Sequence, residues 1–599
     1  MRCRVKFLLS TYLLTILLFV VAKVAFMLMN HEGHSLTATD MMEVIWHGLS
    51  LDLSTALYFI ILPLLLTMAS LWVTVPKWVF HTYYAIIAIA FALAFVADTS
   101  LYSFWGFKLD ASCLSYLETP TEAVASVTTG YIVVRLLAII VVAAGIYGIY
   151  GLSGLSGLNG LNGRHRIWES LLYLLMVPLM VIGIRGGFGE STTNIGQVYY
   201  SQNQFLNHSA VNPVFSFLYS LSHTMGNVDQ YQFMDDNEST ALTDSVYTTE
   251  SVQTDTLLNT DRPNVVVILL ESAGEQFASA MPYLQRLKKE GICFANCYAN
   301  SWRTDRGTLC TLSGYPSFPS LSVMKMPEKS RTLPSIASSL QQEGYKTSYL
   351  YGGDINFTNM RSYLVSTGWE QLVSMDDFTA QERHSAKWGV RDDITFERLS
   401  DMIQKNGADS RFLIGYSTLS SHEPWDVPIK QHPDEKLNAF VYLDHCLHNF
   451  IEPLKQTAAW QNILIVMLAD HGINNRDIDQ SKPLQKNHIP MLWVGGAVKE
   501  PRRIETLCNQ SDLAATLLGQ LQLQHDKFTF SRDVLSKSYR YPTAVHNYNN
   551  AQLLIDSTGY ILYDFDARHL TISESADSSR LQRLNKAILQ QTVNDLKNR

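Results

Sequence analysis

Phe294-Ala-Asn-Cys-Tyr-Ala-Asn-Ser-Trp-Arg-Thr304-Asp-Arg-Gly-Thr-Leu-Cys-Thr-Leu-Ser-Gly314 reads as a strand that passes through a turn into a helix, with one hydroxyl, Thr304, at the turn. A nucleophile sits well there, because the first backbone N–H groups of a helix and its positive dipole end favour a bound phosphate. Two other short elements carry matching chemistry. Glu271 closes the apolar run Val265 to Leu270, and Asp470-His471 closes the apolar run Ile463 to Ala469. Both runs have the length and composition of buried strands, and in an open α/β sheet ligands collect at the carboxyl ends of strands. Two carboxylates, one imidazole and a threonine hydroxyl form an oxygen-rich donor set suited to one divalent metal ion, Mn²⁺ first, with Mg²⁺ or Zn²⁺ as alternatives.

From Phe294 to Gly314 the chain follows the spacing of the sulfatase pattern F-x-N-x-Y-A-x-x-x-x-C-x-P-S-R-x-x-L-x-T-G, with Thr304 in place of the modified cysteine. It therefore resembles the sulfatase-like branch of the alkaline phosphatase superfamily. Within that branch the Arg-Thr-Asp-Arg-Gly context is similar to the lipoteichoic acid synthase and phosphoglycerol transferase family. The resemblance implies Thr304 as nucleophile and Glu271, Thr304, Asp470 and His471 as metal ligands. It also implies His422, His488 and Arg361 as groups that bind the substrate phosphate or head group. Arg361 stands one position late relative to the Gram-positive synthases, which carry Trp-Asn-Arg where this chain has Thr358-Asn359-Met360. Thr308, one turn into the helix, is the alternative hydroxyl. The bland reading of Thr304 alone is a helix N-cap. Trp388, Arg391 and Asp392 read as structural rather than catalytic.

Composition averages two unlike halves, and a net charge of -8 gives no sign of a nucleic-acid partner. The first part holds apolar runs near 7 to 29, 50 to 73, 79 to 104, 131 to 152 and 167 to 186, each reaching the ~20 residues a spanning helix needs. The first run reads as a span rather than a cleaved signal, since it lacks a small-residue cleavage site. Arg2, Arg4 and Lys6 precede the first span, Lys77 lies in the second connection, and Arg164 and Arg166 lie in the fourth. This asymmetry places the N-terminus inside and the Thr304 chemistry outside a bacterial cytoplasmic membrane. Lys23, Asp52, Asp98 and Arg135 fall in or near the spans, mostly near ends where snorkelling suffices. The Gly-Leu-Ser repeat from Gly151 to Gly163 reads as a flexible connection.

The expected organisation has three parts. A five-helix transmembrane domain covers 1–188, an amphipathic connector and linker 189–262, and an extracytoplasmic α/β/α domain 263–599 with a mainly parallel sheet and a small C-terminal antiparallel sheet. Residues 234 to 261, rich in Asp, Glu, Ser and Thr, read as loosely docked. Seven cysteines leave disulfide pairing open. By resemblance, the expected activity moves a phosphoglycerol group from phosphatidylglycerol, a phospholipid donor in the membrane, to an envelope glycan, lipid or polymer acceptor through a phospho-Thr intermediate. A phosphoethanolamine transferase, a hydrolase of the same superfamily, and a membrane sensor built on an inactive domain are the alternatives.

Overall fold

The computed structural model describes residues 2–31, 36–105, 108–114, 129–151, 166–222, 228–247, 254–319, 321–407, 410–476, 478–479, 481–565 and 567–599. The chain divides into two compact units, Met1–Thr224 and Met225–Arg599. The Gly-Leu-Ser repeat beyond Gly151 lies outside the described residues.

Among the described residues of the first unit, five segments are long and apolar enough to cross a membrane: Cys3–Asn30, Ala38–Ala69, Lys77–Ser103, Thr129–Gly151 and Arg166–Arg185. The second starts twelve residues earlier than its hydropathy implied. Its first helix begins after Thr37, whose side chain accepts from the Asp40 N–H while the Asp40 carboxylate accepts from the Thr37 N–H, and such reciprocal capping starts a helix well before its apolar stretch. Lys23 and Asp52 do not snorkel. Both are buried and pair at 2.6 Å, with Asn212 donating to the other Asp52 oxygen at 2.8 Å. Asp98 likewise pairs with buried Lys108. Residues 195–222 form short helices within this unit, so the expected connector is largely part of it.

The second unit is built on an eight-stranded sheet: β1 Asn264–Leu270, β2 Ile292–Tyr298, β3 Lys346–Tyr351, β4 Gln371–Val373, β5 Phe412–Ser417, β6 Ile463–Ala469, β7 His488–Val494 and β8 Arg502–Asn509. The order is β4-β3-β5-β1-β6-β7-β2-β8. Only β7 runs against its neighbours, pairing antiparallel with β6 and β2. Every residue of β1, β5 and β6 is buried, as expected for parallel strands covered on both faces. Because β2 opposes β7, which opposes β6, the carboxyl ends of β1, β2, β5 and β6 fall on one edge.

A four-stranded antiparallel sheet follows, β9 Ala544–Asn547, β10 Ala551–Asp556, β11 Gly559–Asp564 and β12 His569–Ser575, and the chain ends in a helix Ser578–Asn598. The stretch read as a loose linker instead holds the helix Asp236–Tyr247. It packs Val246 with Leu581, Leu584 and Ile588, and Gln590 and Gln591 of the final helix bond Asp236 and Ser239. Its few apolar residues share one face, which a partner helix buries, so low average hydrophobicity hid a docked element. All seven cysteines are free thiols, and Cys297 and Cys508 stand opposite each other on β2 and β8.

Candidate active site and metal centre

Glu271 follows β1 directly, and its backbone N–H donates to Thr418 Oγ1 at 2.9 Å while Ser421 Oγ donates to its carbonyl at 2.6 Å. The turn needs Ser272 in the left-handed region, at φ 58°. Ser272 N–H and His471 N–H both donate to Asp470 Oδ1 at 2.8 Å. These bonds fix the β1 and β6 carboxylates against each other.

Thr304 is the first helical residue of Thr304–Ser313, preceded by Arg303 in extended geometry. It does not act as an N-cap. Its hydroxyl donates to Glu271 Oε2 at 3.1 Å and lies 3.4 Å from His471 Nε2. The helix reaches this position because Gly307 lies against the backbone of Asp470. A Cβ on Gly307 would come within 2.1 Å of the Asp470 carbonyl oxygen, so only glycine allows so close an approach. Thr308 Oγ1, by contrast, is fully buried with no hydrogen-bond partner.

Ligand atoms of Glu271, Asp470 and His471 all lie within 4.8 Å of one another, and all three residues are buried. His471 Nε2 is 3.6 Å from both Glu271 Oε1 and Asp470 Oδ2. Asp470 Oδ2 is buried and has no hydrogen-bond partner. Burial, then the neighbouring Glu271 carboxylate, pushes the Asp470 carboxyl well above its usual range. Burial also acts to raise Glu271, but His471 and His422 outweigh it and hold that carboxyl low. Burial lowers the His471 imidazole, which keeps it neutral. Two adjacent buried carboxylates, an orphan carboxylate oxygen and a neutral imidazole are what a divalent cation needs. His471 Nδ1 faces the Gly472 carbonyl at 3.3 Å, an arrangement that leaves Nε2 unprotonated toward the cluster.

A cavity of about 800 Å³ opens over Thr304, Glu271 and His471. His422 lines it, from the loop after β5. Its Nδ1 is 2.7 Å from the Glu423 carbonyl and its ring packs on Trp388 at 4.3 Å between centroids. The loop is held by Asp392, whose two oxygens accept from Leu419 N–H at 2.8 Å and Ser420 N–H at 3.1 Å. The structural reading of Asp392 thus has a specific object.

The other two expected substrate ligands are not on this wall. Arg361 donates to Asn356 Oδ1 at 2.7 Å and faces Asp354, Asp376 and Asp377, while Phe357, Thr358 and Met360 of the same segment do line the cavity. Its side chain thus turns toward its own loop, and the sequence shows it one position late. His488 opens β7, stacks on Tyr298 at 5.3 Å and has Nε2 2.8 Å from the Ala295 carbonyl. As the first residue of a strand in the middle of the sheet it packs between strands. The cavity is lined instead by Trp302, Arg303, Trp425, Lys436 and Lys486. Spacing gave no signal for these: Trp302 and Arg303 share the turn before Thr304, while Trp425, Lys436 and Lys486 come from three separate segments.

Residues 263–523 match the Sulfatase family model, and the resemblance read around Thr304 holds. Phosphoglycerol transferase I of Xanthomonas euvesicatoria pv. vesicatoria (strain 85-10) is 24% identical over 303 residues, covering 46% of this chain and 43% of the relative. Lipoteichoic acid synthase-like YvgJ of Bacillus subtilis (strain 168) is 23% identical over 350 residues, covering 51% and 56%. The matches span about half the length of these curated relatives. A solved structure of an alkaline phosphatase superfamily protein from Vibrio parahaemolyticus is similar at 25% identity with a TM-score of 0.54, covering 62% of this chain and 98% of that one.

Proposed function

We propose that this chain, which carries a sulfatase-family domain beside five membrane-type helices, is a membrane-anchored transferase that moves a phosphoglycerol group from phosphatidylglycerol to an envelope glycan, lipid or polymer acceptor. The observation that carries the reading is the Thr304 hydroxyl, held at a helix start against Glu271 and His471 with a threonine where a sulfatase needs its modified cysteine. The names of the curated relatives support the choice of phosphoglycerol.

Glu271, Asp470, His471 and Thr304 would hold one divalent ion, Mn²⁺ in first place. A bound cation favours the alkoxide of a coordinated hydroxyl and offsets charge on phosphate oxygens. The chain's own groups do the rest. Thr304 Oγ attacks phosphorus, its proton leaving along the hydrogen bond to Glu271, and the bond from phosphorus to the diacylglycerol oxygen breaks. Nδ1 of His422 donates to the Glu423 carbonyl, so it is the imidazolium form, with its second proton on Nε2, that protonates the departing oxygen. The acceptor hydroxyl then gives its proton to the neutral His422 and displaces Thr304, whose oxygen recovers the proton held by Glu271, and the head group leaves on the acceptor. The catalytic unit lies on the extracytoplasmic face in this reading, which follows from the Lys and Arg asymmetry of the short connections.

Arg303, Lys436 and Lys486 line the cavity, and three cations disfavour the ammonium of an ethanolamine head group. Incubation with labelled phosphatidylglycerol and phosphatidylethanolamine separates the two donors. Diacylglycerol should accumulate from the former, with phosphate retained on the head group. Release of phosphatidic acid, or turnover of phosphatidylethanolamine alone, would overturn the reading.

A further inference from the structure

Lys486 stands out among the cavity-lining groups because its charge is unanswered. It lies near the end of the short helix Pro483–Asn487 and lines the same cavity as Thr304, Glu271 and His471. The residue is only 6% exposed. Among the described residues its ammonium has no hydrogen-bond acceptor and no ion-pair partner. Its Nζ makes a cation–π contact with the Tyr548 ring, 5.6 Å from the centroid. Burial lowers its pKa, an effect that Asp479 opposes. A largely buried lysine with an aromatic face and a carboxylate's field but no hydrogen-bond acceptor is costly, and such groups persist where a ligand completes them.

A second orphan donor lies on the same side. Trp302 lines the cavity, and its indole N–H is buried with no acceptor among the described residues. Trp302 packs in one cluster with Tyr548 and with Leu484, two residues before Lys486. Neither an ammonium nor an indole N–H can accept, so together they ask for an oxygen, and the ammonium asks for an anionic one. The contact this segment makes with the metal loop runs through its backbone, with the Lys486 carbonyl oxygen 1.9 Å from where a Cβ on Gly472 would stand.

We propose that Lys486, with the indole N–H of Trp302, forms a subsite for an anionic phosphate oxygen of the substrate. This rests on the phosphoryl-transfer reading of the cavity and adds to it a ligand outside the metal cluster. The phosphate has two possible sources, the lipid donor or a phosphate-bearing acceptor, and the two share this chemistry.

The test uses the metal-loaded full chain in detergent, with Lys486→Met, Lys486→Arg and Trp302→Phe. Inorganic phosphate is the first probe, titrated by calorimetry. Lys486→Met should weaken its binding by at least about tenfold, the scale of a lost charge-assisted hydrogen bond, Lys486→Arg should restore most of it, and Trp302→Phe should weaken it less. Metal content should stay at the wild-type level. The melting temperature of Lys486→Met should hold or rise, since an unpaired buried charge is removed, whereas a purely structural lysine would lower it. Formation of the Thr304 adduct from phosphatidylglycerol is the second readout. Slower formation in Lys486→Met assigns the subsite to the donor phosphate; normal formation with weakened phosphate binding assigns it to the acceptor. Equal phosphate binding in wild type and Lys486→Met, whether tight or absent in both, overturns the proposal. Failure of wild type to form the adduct would instead count against the proposed reaction, since phosphate binding needs neither lipid nor turnover.

Discussion

Thr304 differs from the neighbouring hydroxyl at Thr308 in what surrounds it. Thr304 reaches a carboxylate and an imidazole, while Thr308 is sealed inside the helix packing. Thr304→Ala is therefore expected to abolish adduct and turnover with the fold kept, as circular dichroism and lipid assays would show. Activity persisting in Thr304→Ala would remove it as nucleophile. Asp470 organises the cluster by accepting two backbone N–H groups on one oxygen and leaving the other bare. Asp470→Ala should lose bound metal and activity together, because an incomplete oxygen-rich shell binds such ions poorly; stoichiometric metal by elemental analysis in that variant would contradict the site. The residues on one edge of the sheet were legible in the sequence because each follows a buried run or a patterned turn: Glu271, Thr304, Asp470, His471 and His422 all line the cavity or adjoin it. Arg361, His488 and Lys486 were not, since a side chain's direction depends on loop packing. Arg361 faces Asp354, Asp376 and Asp377, and no pattern marked Lys486.

At the level of elements, two contacts set the site. The first is the seating of helix Thr304–Ser313 on the loop after β6 at Gly307. Gly307→Ala would push the helix away from the Asp470 carbonyl. Overpacking of this kind costs about 1–3 kcal/mol, so the variant should melt lower and lose most activity even though it alters no ligand. Wild-type turnover in Gly307→Ala would show that the seating is not needed. The second is the loop after β5, fastened by Asp392. Burial pushes that carboxyl up to about 7. A folded-state value above the unfolded one means that the native state holds the proton more tightly, so its stabilisation is complete below about pH 4 and is lost as pH rises through 7. Stability should accordingly fall between about pH 4 and 7, and Asp392→Asn, which cannot ionise, should flatten that part of the profile in thermal melts. An unchanged slope in Asp392→Asn would remove Asp392 as its source. The strands with continuous apolar runs were readable, and β1 and β6 match the expected spans to within a residue. The edge strands β4 and β8 were not, because one is three residues long and the other is largely exposed at its start.

At the scale of the whole molecule, the chain holds a helical unit of membrane type and a second unit in which residues 263–523 match the Sulfatase family model. The first unit buries its ion pairs Lys23–Asp52 and Asp98–Lys108 within itself, so these charges serve the bundle rather than its ends. Hydropathy showed five spans but could not show where the second begins, since a capped amphipathic helix precedes its apolar run. The topology has its own check. A reporter fused after residue 190 should be active only outside the cytoplasm, and one within the Gly-Leu-Ser repeat only inside; the reverse pattern would overturn the orientation. The central claim is that a threonine in a sulfatase-type pocket carries a phosphoglycerol group. Mass spectrometry of the purified chain after incubation with phosphatidylglycerol tests this most directly. A glycerophosphate adduct on Thr304, lost when acceptor is added, is the predicted result, and turnover with the adduct on another residue or with none at Thr304 would contradict it.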